Sequence, residues 1–274
     1  MAGLGANHSR FSVVEGDIRS NNDLERALAN GVAAQPIDAV IHFAGLKAVG
    51  ESVQAPLHYW DVNVNGSRCL LETMQRHGCR ALVFSSTALI QPINPMARLK
   101  RPLSNCSPAF RPANRAGAHP SGCIGEDPQG HPNNLFRFVC QVAVGRRQEL
   151  QVYGDDWPTA DGTGVRDYIH VMDLAEGHQA ALHHLLSHGP QLLTLNLGSG
   201  QGQSVLDVVE AFEQASGRTI PYQVVPRRPG DAAITVADPT LAWQTLGWRT
   251  QRGLKEICRD GWAWQQANPQ GYAN

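Results

Sequence analysis

Short runs of aliphatic and β-branched residues alternate along this chain with longer stretches whose apolar positions recur every three to four residues. The runs at 11–14, 39–43, 81–85, 150–153, 194–197 and 222–225 predict strands. The periodic stretches at 22–30, 56–77, 133–144, 172–187, 204–216 and 253–267 predict helices. Strand and helix taking turns in this way argue for an α/β protein with a largely parallel sheet. One segment, 89–116, breaks the rhythm. It holds five prolines, at 92, 95, 102, 108 and 112, and five Lys or Arg, with no Asp, Glu or Gly. Proline denies donors to a ladder and kinks a helix, so an irregular connector or a Pro-rich surface loop is expected there.

Length and charge narrow the class. The chain has 274 residues, enough for one large domain or two smaller ones. With 23 Lys and Arg against 24 Asp and Glu it carries no global basic field, which argues against nucleic acid and anionic membrane as partners. The six cysteines form no C-x-x-C pair and read as buried thiols. His183, His184 and His188 lie in an Ala/Leu-rich helical stretch without an acidic or thiol partner, so no metal is expected. No apolar run reaches the ~20 residues of a membrane span, and no signal segment is visible, so the expectation is a soluble, cytoplasmic, small-molecule protein.

Candidate chemistry begins at Ala44-Gly45, directly after an apolar strand. A side-chain-poor turn at the carboxyl end of a strand lets a ligand approach the backbone, although a plain tight turn looks the same. Gly198, Gly200 and Gly202 also follow a strand and precede a helix, but the third glycine of a dinucleotide fingerprint and its distant acidic residue are missing, so they read as a structural turn. Gly3 and Gly5 have no strand before them and read as a remnant or linker.

The segment Phe43-Ala44-Gly45-Leu46-Lys47-Ala48-Val49-Gly50-Glu51-Ser52 resembles the UDP-glucose 4-epimerase family, NAD-dependent members of the extended short-chain dehydrogenases/reductases. The likeness continues, in family order, through Glu15-Gly16-Asp17-Ile18-Arg19, Phe84-Ser85-Ser86 and Gly117-Ala118-His119-Pro120-Ser121-Gly122. It extends through Gly125-Glu126-Asp127, the 161–171 segment containing Val165-Arg166-Asp167-Tyr168-Ile169-His170, and Arg227-Arg228-Pro229-Gly230-Asp231. It implies an incomplete Rossmann-type doubly wound parallel sheet, residues 1–116, and a smaller C-terminal α/β substrate domain, 117–274, with a crossover back to the sheet near 167–198. NAD is the implied cofactor, held by Asp17 and Ile18 at adenine and by Phe43, Ala44, Gly45, Lys47, Asn63 and Ser85. A UDP-sugar is the implied ligand and a homodimer the implied assembly. Arg166 and Arg228 match diphosphate contacts, which suits the forked, permanently charged guanidinium. Asn134, Leu135, Val152, Tyr153 and Asp231 match uridine and ribose contacts. Asn114 matches a sugar contact, although its neighbours Pro112, Ala113 and Arg115 do not follow the family. Thr235, small where some members carry tyrosine, implies room for an N-acetyl group.

The implied reaction moves a hydride from C4 of the hexose to NAD while a tyrosinate takes the hydroxyl proton; the ketone rotates and the hydride returns to its other face. A tyrosine of ordinary pKa ~10 ionises near neutrality only beside a lysine ammonium and the nicotinamide cation. Thr87 stands where the family's Ser or Thr partner belongs. Of the five tyrosines, Tyr59, Tyr153, Tyr168, Tyr222 and Tyr272, none is followed four residues later by lysine. The 89–116 segment, where that pair belongs, has no tyrosine and one lysine, Lys100. The chain also opens just before the family's third strand, without the glycine-rich nucleotide loop. The expectation is a catalytically defective epimerase relative with a weakened hold on NAD and weakened dimerisation. A non-catalytic UDP-sugar-binding protein is the alternative, and a dehydration, which needs the same pair, ranks last.

Overall fold

A computed structural model describes residues 11–29, 35–46, 49–85, 109–112, 114–127, 134–189, 191–228 and 230–272. The chain separates into two compact units, one made of Leu4–Arg111 with His178–Leu195, the other of Pro112–Gly177 with Asn196–Asn274. The sequence had suggested a division at 116 and a crossover at 167–198.

In the first unit, β1 (Ala39–His42) and β2 (Ala81–Ser85) run parallel, Ala39 opposite Ala81. β3 (Ala109–Pro112) continues the sheet in parallel beside β2, and β7 (Thr194–Leu197) follows it. The expected helix at 56–77 is one run in three parts: Pro56–Trp60, a π-helical turn at Asp61–Asn65, and Gly66–Arg76. Pro56 opens it, where a missing N–H costs nothing. Cys69, Leu70 and Met74 from its last part meet Leu24 and Leu28 of the Asn21–Ala29 helix and Leu82 of β2. Gly66 leaves room for Ile18: a Cβ there would stand 2.7 Å from its Cγ2.

In the second unit, β6 (Val165–His170) is the centre. β4 (Asn114–Ala116) and β10 (Ile234–Thr235) flank it in parallel, and β8 (Gly202–Ser204) pairs with it antiparallel. β5 (Leu150–Tyr153) and β9 (Tyr222–Val225) form a separate parallel pair. The core gathers Phe136, Val139 and Cys140 of the Leu135–Ala143 helix, Val208 and Phe212 of the Val205–Ser216 helix, and Ile257 and Cys258 of the Leu254–Ala267 helix. Ser204 starts Val205–Ser216 with a reciprocal cap to Asp207, and Gly217, at φ +64°, ends it.

Four expectations change. Residues 11–14 are not a strand; among the described residues nothing pairs with them, and Phe11 and Val13 are more than half exposed. Residues 109–112 and 114–116 are strands rather than irregular connector. The rungs of β3 on β2 are at Ala109 and Phe110, so Pro112, at the strand's end, removes no rung from that pairing. The rest of that segment, to 108, lies outside the described residues. β6 itself went unpredicted because Arg166 and Asp167 give it the polarity of a loop. Cys69, Cys79, Cys140 and Cys258 are buried, whereas Cys123 is exposed in the turn organised by Ser121. Among the described residues no helix is long and apolar enough to cross a membrane, and no His/Cys/Asp/Glu group could hold a metal ion.

Candidate functional site

In the second unit a cavity of about 580 Å³ opens between β4, β5, β6 and the start of the Leu135–Ala143 helix. Asn114, Asn134, Leu135, Val152, Tyr153, Arg166, Arg228 and Asp231 all line it. Thr235 does not; it stands in β10, in register with Arg166. The sequence reading had not assigned Arg115, Phe138, Arg147, Glu149 or Tyr168, which also line the wall. Only Tyr168 carried a signal, two residues from Arg166 and so on the same face of β6.

Local chemistry fixes most of these groups. Asn134 caps its helix by accepting the Arg137 amide at 3.0 Å, while its Nδ2 donates to Glu126 at 2.8 Å. Arg228 donates from Nε (3.0 Å) and Nη2 (2.9 Å) to Asp231 Oδ2 and lies over the Tyr153 ring, 4.4 Å from its centroid. Arg166 is placed differently: its Nη1 donates to the Val165 and Ala233 carbonyls at 2.8 and 3.4 Å, and no carboxylate pairs with it among the described residues. Arg147 lies over Phe138 and donates to Gln141 at 2.7 Å. Four arginines face two carboxylates, Glu149 and Asp231, an excess of two positive charges in a half-enclosed wall. Such a wall suits a ligand bearing two negative charges close together. Burial pushes the Tyr168 hydroxyl well above its ordinary pKa, against the pull of Arg166.

The residues expected at a cofactor lie in the first unit. Ala44 and Gly45 follow β1, and Ser85 ends β2, at the carboxyl ends of neighbouring parallel strands. Gly45 has φ +154°, and a Cβ there would stand 3.0 Å from Asn63 Oδ1. Buried Asn63, in the π-helical turn, accepts the Leu46 amide at 2.7 Å and donates to the Leu46 carbonyl at 3.1 Å, so its amide group holds the turn's backbone at both polar atoms. Phe43 is exposed, its ring 4.9 Å from that of His178. Arg19 engages both oxygens of Asp17, whose pKa its hydrogen bonds lower to about 2; Arg19 also reaches Asp61 at 2.8 Å. Ile18 is packed against the helix core. Lys47 and Thr87 lie outside the described residues. The exposed, side-chain-poor Ala44-Gly45 turn at the end of a parallel strand fits the close approach of a dinucleotide, whereas Asn63 and Asp17 are already engaged within the protein.

Comparison with known proteins gives these groups a context. Residues 3–109 match the profile of the NAD dependent epimerase/dehydratase family, and residues 118–261 match the profile of GDP-mannose 4,6 dehydratase. UDP-glucose 4-epimerase 2 of Oryza sativa subsp. japonica is 47% identical over 303 residues, covering 100% of this chain and 73% of the relative. UDP-glucose 4-epimerase of Bacillus subtilis is 48% identical over 278 residues, covering 91% of this chain and 81% of the relative. Among solved structures, UDP-glucose-4-epimerase from Stenotrophomonas maltophila, with bound NAD and formylated UDP-arabinopyranose, aligns with TM-score 0.86 at 43% identity, covering 94% of this chain and 83% of that one. The enzyme from Bifidobacterium longum, in complex with NAD+ and UDP, aligns with TM-score 0.85 at 42% identity, covering 94% and 84%. With identity at this level spread over nearly its whole length, the chain belongs to the UDP-glucose 4-epimerase family.

Proposed function

We propose that this chain binds a UDP-sugar in the second unit but does not complete the interconversion of UDP-glucose and UDP-galactose. The observation that carries the first half is the convergence of eight expected ligand residues on one cavity whose arginines exceed its carboxylates by two. In this reading Leu135, Val152 and Tyr153 receive the uracil, Asn134 and Asp231 the base and ribose, Arg166 and Arg228 the diphosphate, and Asn114 the hexose. Arg228, already shared with Asp231, adjusts its single carboxylate partner when phosphate arrives; Arg166 needs to release only carbonyl contacts.

The second half rests on the general base. NAD, held in this reading along Phe43, Ala44 and Gly45, supplies the hydride acceptor when bound. The proton of the hexose hydroxyl still needs a tyrosinate, and Tyr59, Tyr153, Tyr168 and Tyr222 each lack a lysine one helical turn on. Tyr168, in the cavity wall, is driven by burial in the wrong direction to serve. A missing general base removes about 10²–10⁴-fold in rate.

Calorimetric titration with UDP and UDP-glucose, alongside an epimerisation assay with added NAD, tests both halves. Heat of binding without turnover is the expected result. Absence of heat at millimolar UDP ends the binding half, and turnover at a rate typical of the relatives ends the other.

A further inference from the structure

We propose that the buried carboxylate of Asp167 is a positioning residue for both arginines of the cavity, and that the Gly198–Gly202 turn serves as its clamp. The inference rests on the reading of that cavity as a UDP-sugar site. Asp167 is 2% exposed and sits in β6 between Arg166 and Tyr168, which both line the cavity; alternation along the strand turns it to the opposite face. There its Oδ1 accepts the Ser199 amide at 3.0 Å and the Ser199 hydroxyl at 2.6 Å. Its Oδ2 accepts the amides of Gly200 at 3.0 Å and Ala237 at 3.3 Å.

Two consecutive amides converging on one anion need a left-handed residue in the turn, and Gly200 supplies it at φ +73°. The glycines that superficially suggest a phosphate loop therefore cradle an internal carboxylate. The fourth donor has a wider effect. Ala237 ends the 231–237 segment, whose other members hold the arginines: the Ala233 carbonyl accepts from Val165 N and Arg166 Nη1, and Asp231 pairs with Arg228. Ile234 and Thr235 pair with Val165 and Arg166 along the same stretch. The carboxylate thus adds a side-chain tie, beyond the end of that backbone pairing, between the segment and β6, and through it helps set where both guanidinium groups stand.

Asp167→Asn keeps the shape but replaces one acceptor with a donor facing amides already in place. The expected result is UDP affinity lowered about tenfold, with affinity for uridine, which lacks the phosphates but keeps the ribose that Asp231 meets, lowered by no more than about threefold. Combining it with Arg166→Gln should cost less than the product of the separate losses, because the two act through one contact. Calorimetry for UDP and ligand-observed NMR for uridine give the two readouts. Parallel weakening of UDP and uridine, or fully multiplicative losses in the double variant, overturns the proposal. If wild-type protein binds UDP and Asp167→Asn matches it, positioning alone is refuted; if wild type binds no UDP, the cavity reading falls and this inference with it. Should Asp167→Asn fail to fold, Ser199→Ala, which removes only the hydroxyl donor, must shift the UDP-to-uridine ratio in the same direction, and an unchanged ratio is equally fatal.

Discussion

Replacing Arg228 by glutamine is expected to damage UDP binding more than replacing Arg166, although Arg228 is the one already neutralised by a carboxylate. Among the described residues Arg166 is anchored by two carbonyls and no carboxylate, so Arg166→Gln removes a charge-assisted contact and strands no partner charge there. Such a contact is worth about 1.5–3 kcal/mol, or roughly 10–150-fold in Kd. Arg228→Gln loses a comparable contact and also strips Asp231 of its partner, which lies 2.9 Å away. A phosphate oxygen on the far side of the same guanidinium position would stand about 5–8 Å from Asp231, and at an effective dielectric of about 40 that repulsion adds about 1–2 kcal/mol. Asp231→Asn in the Arg228→Gln background keeps an acceptor for a ribose hydroxyl while removing the repulsion, and should recover about 5–30-fold. Because Arg228 is more than half exposed, its pair with Asp231 contributes about 0–1 kcal/mol to stability, so the melting temperatures should barely move. Isothermal titration with UDP at two salt concentrations measures the series. A double variant that binds no better than Arg228→Gln, or an Arg166→Gln that binds worse than Arg228→Gln, refutes the reasoning.

Further expectations concern stability. Phe212→Ala should destabilise by about 3–5 kcal/mol in urea unfolding, because this fully buried ring meets Phe136 and Trp262 edge to face, with centroids 5.6 and 6.0 Å away; a loss below about 1 kcal/mol contradicts the packing. Gly45→Ala forces a Cβ onto a left-handed residue and against Asn63, and should cost about 1–3 kcal/mol, read as a lowered melting temperature. His170 is fully buried against Asp260, and burial lowers its pKa, with Asp260 opposing. The unfolded chain therefore binds this proton more readily than the native one, so stability is whole above about pH 6.5 and declines as pH falls below it. Urea midpoints at pH 7.5 and 5.5 should differ by more in wild type than in His170→Gln, and equal differences refute this origin.

The elements most legible in the sequence were those whose apolar residues form an uninterrupted run or a helical stripe. The runs at 81–85, 150–153, 194–197 and 222–225 are strands with those limits, and the helix ends agree to within two residues. Legibility failed where burial was achieved by hydrogen bonding rather than by apolar composition. Asp167 is as hidden as a core leucine because four donors meet it, and no pattern of hydrophobicity announces that. Residues 11–14 failed in the opposite sense, since a run with strand composition becomes a strand only beside a partner. Of the site, the arginines and Asn134 were readable through resemblance. Arg147, Glu149 and Phe138 were not, because their place in the wall depends on how the Leu135–Ala143 helix and the strand after it are brought together.

The π-helical turn at Asp61–Asn65 has a consequence that hydrogen exchange can read. The Leu46 amide sits outside any strand or helix, where backbone protons ordinarily exchange with solvent by local fluctuation. Its acceptor is the side chain of a buried residue inside a helix, and that side chain also donates to the Leu46 carbonyl, so release requires the loop to part from the helix at two hydrogen bonds or the helix to open. Leu46 should therefore exchange more slowly than an unpaired loop amide, and its protection should fall to that of an ordinary loop in Asn63→Ala, making one amide beside β1 a reporter of how firmly the turn is held to an element that starts ten residues later.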